Sequence, residues 1–216
     1  MTGNTNRWNN SDLLVPRGKK RAISKGKKVM VNIYLVRHGE AEHSWADSTD
    51  SELSTLGHQQ SQSVIRHFKG QGPLKIYSSP LLRARETAAP LAKELGASVF
   101  IDDRFKEIPT EVEQKDRRKW LQGITSLRWT EVSPKLRDWR SNSWGALATI
   151  RHDTVIFTHF MVINSLIGQL QNDDRLVLFQ PDNVSITHLL IDEKGSVRLK
   201  SLGQEKATLI NYLQWK

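Results

Sequence analysis

Two histidines and two arginines stand where apolar runs of this chain end. Val31, Ile33, Leu35 and Val36 read as a buried strand that stops at Arg37-His38-Gly39. Thr154-Val155-Ile156-Phe157-Thr158 reads as a second strand, closed by His159. Leu74-Lys75-Ile76-Tyr77-Ser78 reads as a third, followed by Ser79-Pro80 and a helix that carries Arg83. Brought to one edge of a sheet, these ends would gather two guanidinium groups, two imidazoles and a helix N-terminus around one point. Guanidinium forks match phosphate oxygens two at a time. Helix N-termini add oriented N–H donors. A neutral imidazole is a nucleophile that needs no base to activate it. The chemistry such a set suits is phosphoryl binding and transfer. Taken singly, each histidine is an ordinary strand-end residue, so the inference rests on convergence. Arg85 competes with Arg83, but two residues of helix turn it about 200° away.

The elements that would position these residues alternate along the chain. After the strand at 30–36, Ser54-Thr55-Leu56-Gly57 starts a helical pattern that runs to about residue 69, where Gly70 and Gly72-Pro73 break it. Pro80 opens a helix with Leu81, Leu82, Ala84, Ala88, Leu91 and Leu95 at helical spacing, ended by Gly96. Ser98–Ile101 is a short strand. Residues 106–132 are charged and lack a clean period, and read as a partly helical, cap-like insertion over the sheet. Pro134 opens a further helix, and another spans about 160–171. Ser185–Ile191 and Ser196–Leu202 read as strands joined by a hairpin at Asp192-Glu193-Lys194-Gly195. Trp120, Trp129, Trp139 and Trp144 either line a cover or fill a core, and Trp139 and Trp144 are assigned to core. Strands alternating with helices predict a three-layer α/β/α sandwich with a mostly parallel central sheet. Such sheets place their sites outside the carboxyl ends of the strands.

Composition narrows the classes. The 216 residues are 38% hydrophobic and 25% charged, suited to a globular protein with a sizeable core. No apolar run approaches the roughly 20 residues of a spanning helix, and no apolar h-region opens the chain. There is no cysteine, which excludes disulfides, thiolate metal sites and cysteine nucleophiles. A cytoplasmic protein without a membrane partner is the expectation. The net charge of +9 hints at nucleic acid, but residues 1–28 hold eight basic residues against Asp12 alone, a net +7, leaving only +2 for the rest. Residues 1–28 are therefore read as a disordered basic leader, and residues 29–216 as one domain. Leu14-Val15-Pro16-Arg17-Gly18 in that leader resembles a thrombin cleavage site of expression vectors. A nucleic-acid partner is not expected.

The ordered segments resemble the histidine phosphatase superfamily, also called phosphoglycerate-mutase-like. The residues that carry the resemblance are Leu35–Glu42 (LVRHGEAE), Leu53–Gln60 (LSTLGHQQ), Tyr77–Ala88 (YSSPLLRARETA), Phe105-Lys106-Glu107-Ile108, Thr158-His159 and Asn183–Thr187 (NVSIT), in family order. The resemblance implies that His38 is the nucleophile and carries a phosphohistidine. It implies that Arg37, Arg83 and His159 surround the phosphate, with His159 also counted as catalytic. Glu107 would be proton donor to the leaving oxygen and then base for water. No metal and no cofactor is implied, because these side chains supply the charge that divalent ions supply in other phosphoryl-transfer enzymes. The implied partners are a small phosphorylated substrate or a phosphoprotein, with inorganic phosphate or sulfate able to occupy the pocket.

The chain also departs from the pattern. Many relatives follow the acid with Gly-x-Trp-Glu-Gly, whereas here Glu107-Ile108 runs into Pro109-Thr110-Glu111-Val112-Glu113. Where relatives often place an asparagine on the phosphate, this chain has Ser44, carried as a possible phosphate contact. After His159 stand Phe160-Met161 in place of glycine, which predicts an aromatic at the pocket mouth. Gly39 is expected to let the backbone turn beside the phosphate. The favoured activity is a metal-independent phosphomonoesterase. Mutase-type phosphotransfer and a non-catalytic phospho-ligand module on the same fold are the alternatives.

Overall fold

The computed structural model describes residues 30–44 and 47–205; the proposed leader at 1–28 lies outside them. Six strands form one sheet: β1 (Met30–Arg37), β2 (Lys75–Ser78), β3 (Val99–Ile101), β4 (Thr154–Thr158), β5 (Ile186–Asp192) and β6 (Val197–Ser201), in the order β3-β2-β4-β1-β5-β6. The first four in that order run parallel, while β5 is antiparallel to β1 and pairs with β6 as the expected hairpin. The helices are α1 (Thr55–Phe68), α2 (Leu82–Leu95), α3 (Arg117–Ile124), α4 (Pro134–Ala148) and α5 (Phe160–Gln171). None among the described residues is long and apolar enough to cross a membrane.

The two-residue period of β1 explains the three layers. Tyr34 and Val36 face one side, where they pack with Val64 and Phe68 of α1 and with Ala88, Leu91 and Ala92 of α2. Ile33 and Leu35 face the other, against Ala146 and Leu147 of α4 and Val162, Ile163, Leu166 and Ile167 of α5. Burying each such side chain is worth roughly 1.5–3 kcal/mol, and a strand covered on both faces reads as the near-continuous apolar run seen in the sequence.

A third cluster holds the insertion. Ile108, Ile124, Trp129, Val132 and Leu136 pack together with Phe160, Met161 and Leu176. Trp129 is fully buried, stacks on Trp139 and lies under the Arg140 guanidinium. Trp139 and Trp144 pack against the main core, as read from the sequence. The one notable boundary shift is at α2. It begins at Leu82 rather than Pro80, because Ser79 Oγ accepts the Leu81 N–H and Asp50 Oδ1 accepts the Leu82 N–H at 2.6 Å, so the helix start is capped from outside.

Gly39 and Gly57 serve a packing purpose. Neither has a positive φ. A Cβ on Gly39 would lie 2.8 Å from the Gly57 carbonyl oxygen, and a Cβ on Gly57 would lie 2.0 Å from the Glu40 carbonyl oxygen. The pair lets the first turn of α1 press onto the backbone after His38, a packing requirement that the sequence reading of Gly39 did not include. Gly57→Ala should therefore destabilise the protein by about 2 kcal/mol or more, lowering Tm by roughly 4–8 °C. Gly145, exposed on α4 with nothing near its missing Cβ, gives the opposite sign: Gly145→Ala should stabilise by about 0.5–1 kcal/mol. Thermal melts of the two variants check both.

Candidate active site

Strand register brings the chemistry together. Arg37 of β1 is paired with Thr158 of β4, and Ser78 of β2 with Phe157. His38, His159 and Ser79 each stand one residue beyond those strands, so three parallel ends deliver them side by side. The ladder continues one step further: the His38 N–H donates to the Thr158 carbonyl at 2.9 Å and the Ser79 N–H to the Phe157 carbonyl at 2.9 Å. The two imidazole centroids are 5.1 Å apart.

His38 has a defined tautomer. Its Nδ1 lies 2.7 Å from the Gly39 carbonyl oxygen. A carbonyl only accepts, so Nδ1 carries the proton and Nε2 holds the lone pair. Arg83 Nε, from the first turn of α2, donates to that Nε2 at 3.1 Å. Thr87, one turn on, donates its hydroxyl to the Arg83 carbonyl at 2.6 Å and accepts the Gly39 N–H at 3.0 Å. A single threonine thus ties the helix to the turn. Arg83 is buried and Arg85 exposed, as helical phase required.

The backbone of Arg37-His38 is also held from the far side. The Asn183 Nδ2 donates to the His38 carbonyl at 2.9 Å, the Val184 N–H to the Arg37 carbonyl at 3.0 Å, and the Arg37 N–H to the Ser185 carbonyl at 3.2 Å. Val184 makes this turn with φ 54°, a strained conformation for a β-branched residue. The Arg37 guanidinium donates to the Pro181 carbonyl at 2.8 Å and lies 5.5 Å from the centre of the Phe160 ring. Asn183, Thr87 and Ser79 carry no assigned role in the sequence reading. Only their presence in the ordered segments pointed to them, because their contacts cross between segments far apart in the chain.

Glu107 reaches the same place from the segment after β3. Its carboxylate accepts the Ile108 N–H at 2.9 Å and the Met161 N–H, in the first turn of α5, at 3.2 Å. It is 6% exposed, so the surrounding acids are set apart from it by burial. Two expectations change. Phe160 and Met161 do not stand at a pocket mouth: both are buried in the cluster of the insertion, with Phe160 beneath Arg37. The Ser44 hydroxyl donates to Asp47 Oδ2 at 2.5 Å, so a phosphate contact there would require it to turn.

Burial sets the protonation states. His38 is held well below the usual imidazole range, first by desolvation and then by the Arg83 and Arg37 charges. His159 is lowered in the same way, by desolvation, then Arg83, His38, Arg37 and Lys106. Glu107 is raised by desolvation, which outweighs its two backbone hydrogen bonds and the arginines. The site therefore holds two neutral imidazoles, two guanidinium cations and a carboxyl inclined to keep a proton. That arrangement can bind a phosphoryl dianion, attack it with nitrogen and protonate a leaving oxygen.

Known proteins share this arrangement of the chain. A family model described as the histidine phosphatase superfamily, branch 1, matches residues 33–204. The probable phosphoglycerate mutase GpmB of Escherichia coli (strain K12 / DH10B) is 38% identical over 118 residues, covering 47% of this chain and 55% of that protein. The chain thus spans about half the length of the curated relatives it matches. The phosphoserine phosphatase of Entamoeba histolytica, solved with 3-phosphoglyceric acid, superimposes with a TM-score of 0.63 at 25% identity, covering 82% of this chain and 98% of that one. A mycobacterial glucosyl-3-phosphoglycerate phosphatase has a TM-score of 0.63 at 21% identity, over 82% of this chain and 100% of that one, a likeness of fold.

The lowered histidines make stability depend on pH. Unfolded, His38 and His159 take up protons near 6.5; folded, they do not, so stability present above that pH is lost as pH falls below it. His188, lowered to about 4, and His67 add the same sign. Glu107, raised above 4.5, acts oppositely, its contribution full at low pH and lost as pH rises through its folded value. Denaturant midpoints should fall between pH 7 and pH 5.5, and fall less in His159→Gln, which removes one of these groups.

Proposed function

The chain belongs to the histidine phosphatase superfamily, and from that membership and the geometry of its site we propose that it hydrolyses phosphomonoesters without metal, through a phosphohistidine on His38. The observation that carries this reading is the pair of bonds at His38, Nδ1 to the Gly39 carbonyl at 2.7 Å and Nε2 to Arg83 at 3.1 Å. They leave a neutral nitrogen lone pair facing a guanidinium. A substrate phosphoryl group would draw Arg83 onto its oxygens and expose that lone pair as it does so. Binding and activation of the nucleophile are then one event.

In the first step Nε2 attacks phosphorus and the P–O ester bond breaks. The leaving oxygen takes the proton of Glu107, because an alkoxide is a poor leaving group. The imidazole becomes cationic on phosphorylation, and its Nδ1–H remains bonded to the Gly39 carbonyl. In the second step water attacks phosphorus and gives a proton to Glu107; the P–N bond breaks and neutral His38 returns. Arg37, Arg83 and His159 offset the charge on the transferring group, where one lost donor typically costs about 10²–10³ in rate. A mutase reading has the names of the curated relatives in its favour. It differs only in the acceptor that takes the group from His38.

An aryl phosphate assay in chelator tests the proposal. Turnover should be present, and His38→Ala should abolish it together with any acid-labile, base-stable phosphoenzyme. Glu107→Gln should lower kcat on alkyl phosphates by about 10²–10⁴. On 4-nitrophenyl phosphate, whose leaving group needs no proton, it should give a burst followed by slow turnover. No turnover and no phosphoenzyme in metal-free protein would refute the reading. Efficient transfer to a second phosphate acceptor in preference to water would favour the mutase.

A further inference from the structure

Ser79 stands one residue past β2 and takes no part in the steps above. Its Oγ is 2.7 Å from His159 Nε2, and the same oxygen accepts the Leu81 N–H at 3.2 Å. Two proton arrangements fit that O···N distance. In one, Nε2–H donates to the serine oxygen, and the serine proton then needs another acceptor; among the described residues Ser79 Oγ has none. In the other, the serine donates to Nε2, and every hydrogen-bonding group of the side chain is used. The second arrangement also fixes the opposite ring nitrogen. His159 Nδ1 is buried and has no hydrogen-bond partner among the described residues. As an N–H it is a donor awaiting an acceptor. As a lone pair it would repel phosphoryl oxygens.

We propose that Ser79 is a positioning residue that holds neutral His159 in the Nδ1–H tautomer, so that His159 meets the substrate as an uncharged hydrogen-bond donor to a phosphoryl oxygen. The ligand in this statement rests on the phosphohydrolase reading; the tautomer does not. Both histidines are then protonated on Nδ1 but used from opposite edges. His38 spends its Nδ1–H on the Gly39 carbonyl and presents Nε2 to phosphorus. His159 has its Nε2 occupied by Ser79 and presents Nδ1–H to oxygen. The fixed positive charges that act on both histidines are those of Arg37 and Arg83. Two cations match the dianion of a phosphomonoester, whose second pKa is about 6, and overbalance the single negative charge of a diester. Ser79 therefore contributes to the choice of monoester over diester without touching either.

The test is the tautomer itself, read by long-range 15N–1H correlation spectra of 15N-histidine-labelled protein without ligand, with His159→Gln used to assign the signals. The expected spectrum has a protonated Nδ1 and an unprotonated Nε2 at His159. Ser79→Thr should keep it, and Ser79→Ala should shift it toward protonated Nε2. In the aryl phosphate assay Ser79→Ala should lower kcat by about 10–100-fold, a loss like that caused by removing the partner that orients a metal-bound histidine, with KM changed less and Ser79→Thr restoring most of the rate. A protonated Nε2 in the unmodified protein overturns the proposal, whatever the activity. So does Ser79→Ala with unchanged spectrum and unchanged kcat. Should Ser79→Ala fail to fold, the spectra of the unmodified protein and of Ser79→Thr decide alone. A protein without phosphatase activity but with the expected spectrum would refute the function and leave the tautomer standing.

Discussion

The bond from His38 Nδ1 to the Gly39 carbonyl, 2.7 Å long, is the contact on which the site depends. It leaves the lone pair of His38 on Nε2, the nitrogen that the proposed mechanism uses as nucleophile, and it fixes the orientation of the ring. A carbonyl can do this only if its peptide is immobile, and the surroundings of Gly39 make it so. Thr87 takes its N–H, the first turn of α1 lies against its α-carbon, and Asn183 takes the carbonyl just before it. The strained turn at Val184 belongs to the same set, since its N–H is the group that holds the Arg37 carbonyl. Backbone strain of this kind persists only where several contacts over-determine it.

The electrostatics follow from where that rigid turn is placed. The end of a sheet covered on both faces is dry, and desolvation acts on each ionisable group according to its charge. It lowers the histidines and raises the carboxyl, the pattern expected of acid and nucleophile roles set by environment. The arginines push the two kinds of group the same way, downward. They reinforce burial at His38 and His159 and oppose it at Glu107. Glu107 nonetheless stays raised, which shows that desolvation is the larger effect there.

Much of this was legible in the sequence, and the part that was not has a common cause. Burial on both faces wrote β1 and β4 as apolar runs, and helical phase separated Arg83 from Arg85. Periodicity reports which face of an element is covered, and the fold obeyed it. It does not report what one segment says to another. The role of Gly39 depends on Gly57, eighteen residues on, and the start of α2 depends on Asp50. Phe160, read as an aromatic at the pocket mouth, is a member of the insertion's own core. Its backbone position follows from the strand before it, but the cluster its ring joins, with Ile108, Trp129 and Leu136, comes from segments far from it in the chain.

Those last contacts join the insertion to the candidate site. The insertion's cluster includes Ile108, next to Glu107, and Phe160 and Met161, next to His159. The Met161 N–H in turn binds the Glu107 carboxylate. The insertion is therefore rooted on the residues that flank both Glu107 and His159. On its outer side α3 reaches the loop after β1, where Arg118 pairs with Asp47 at 2.7 Å. The insertion and the peptide that holds Glu107 therefore share one set of contacts. In this chain Glu107 is followed by Ile108-Pro109, with the isoleucine anchored in the same cluster, so the group proposed as proton donor and the insertion beside it are held by one packed unit.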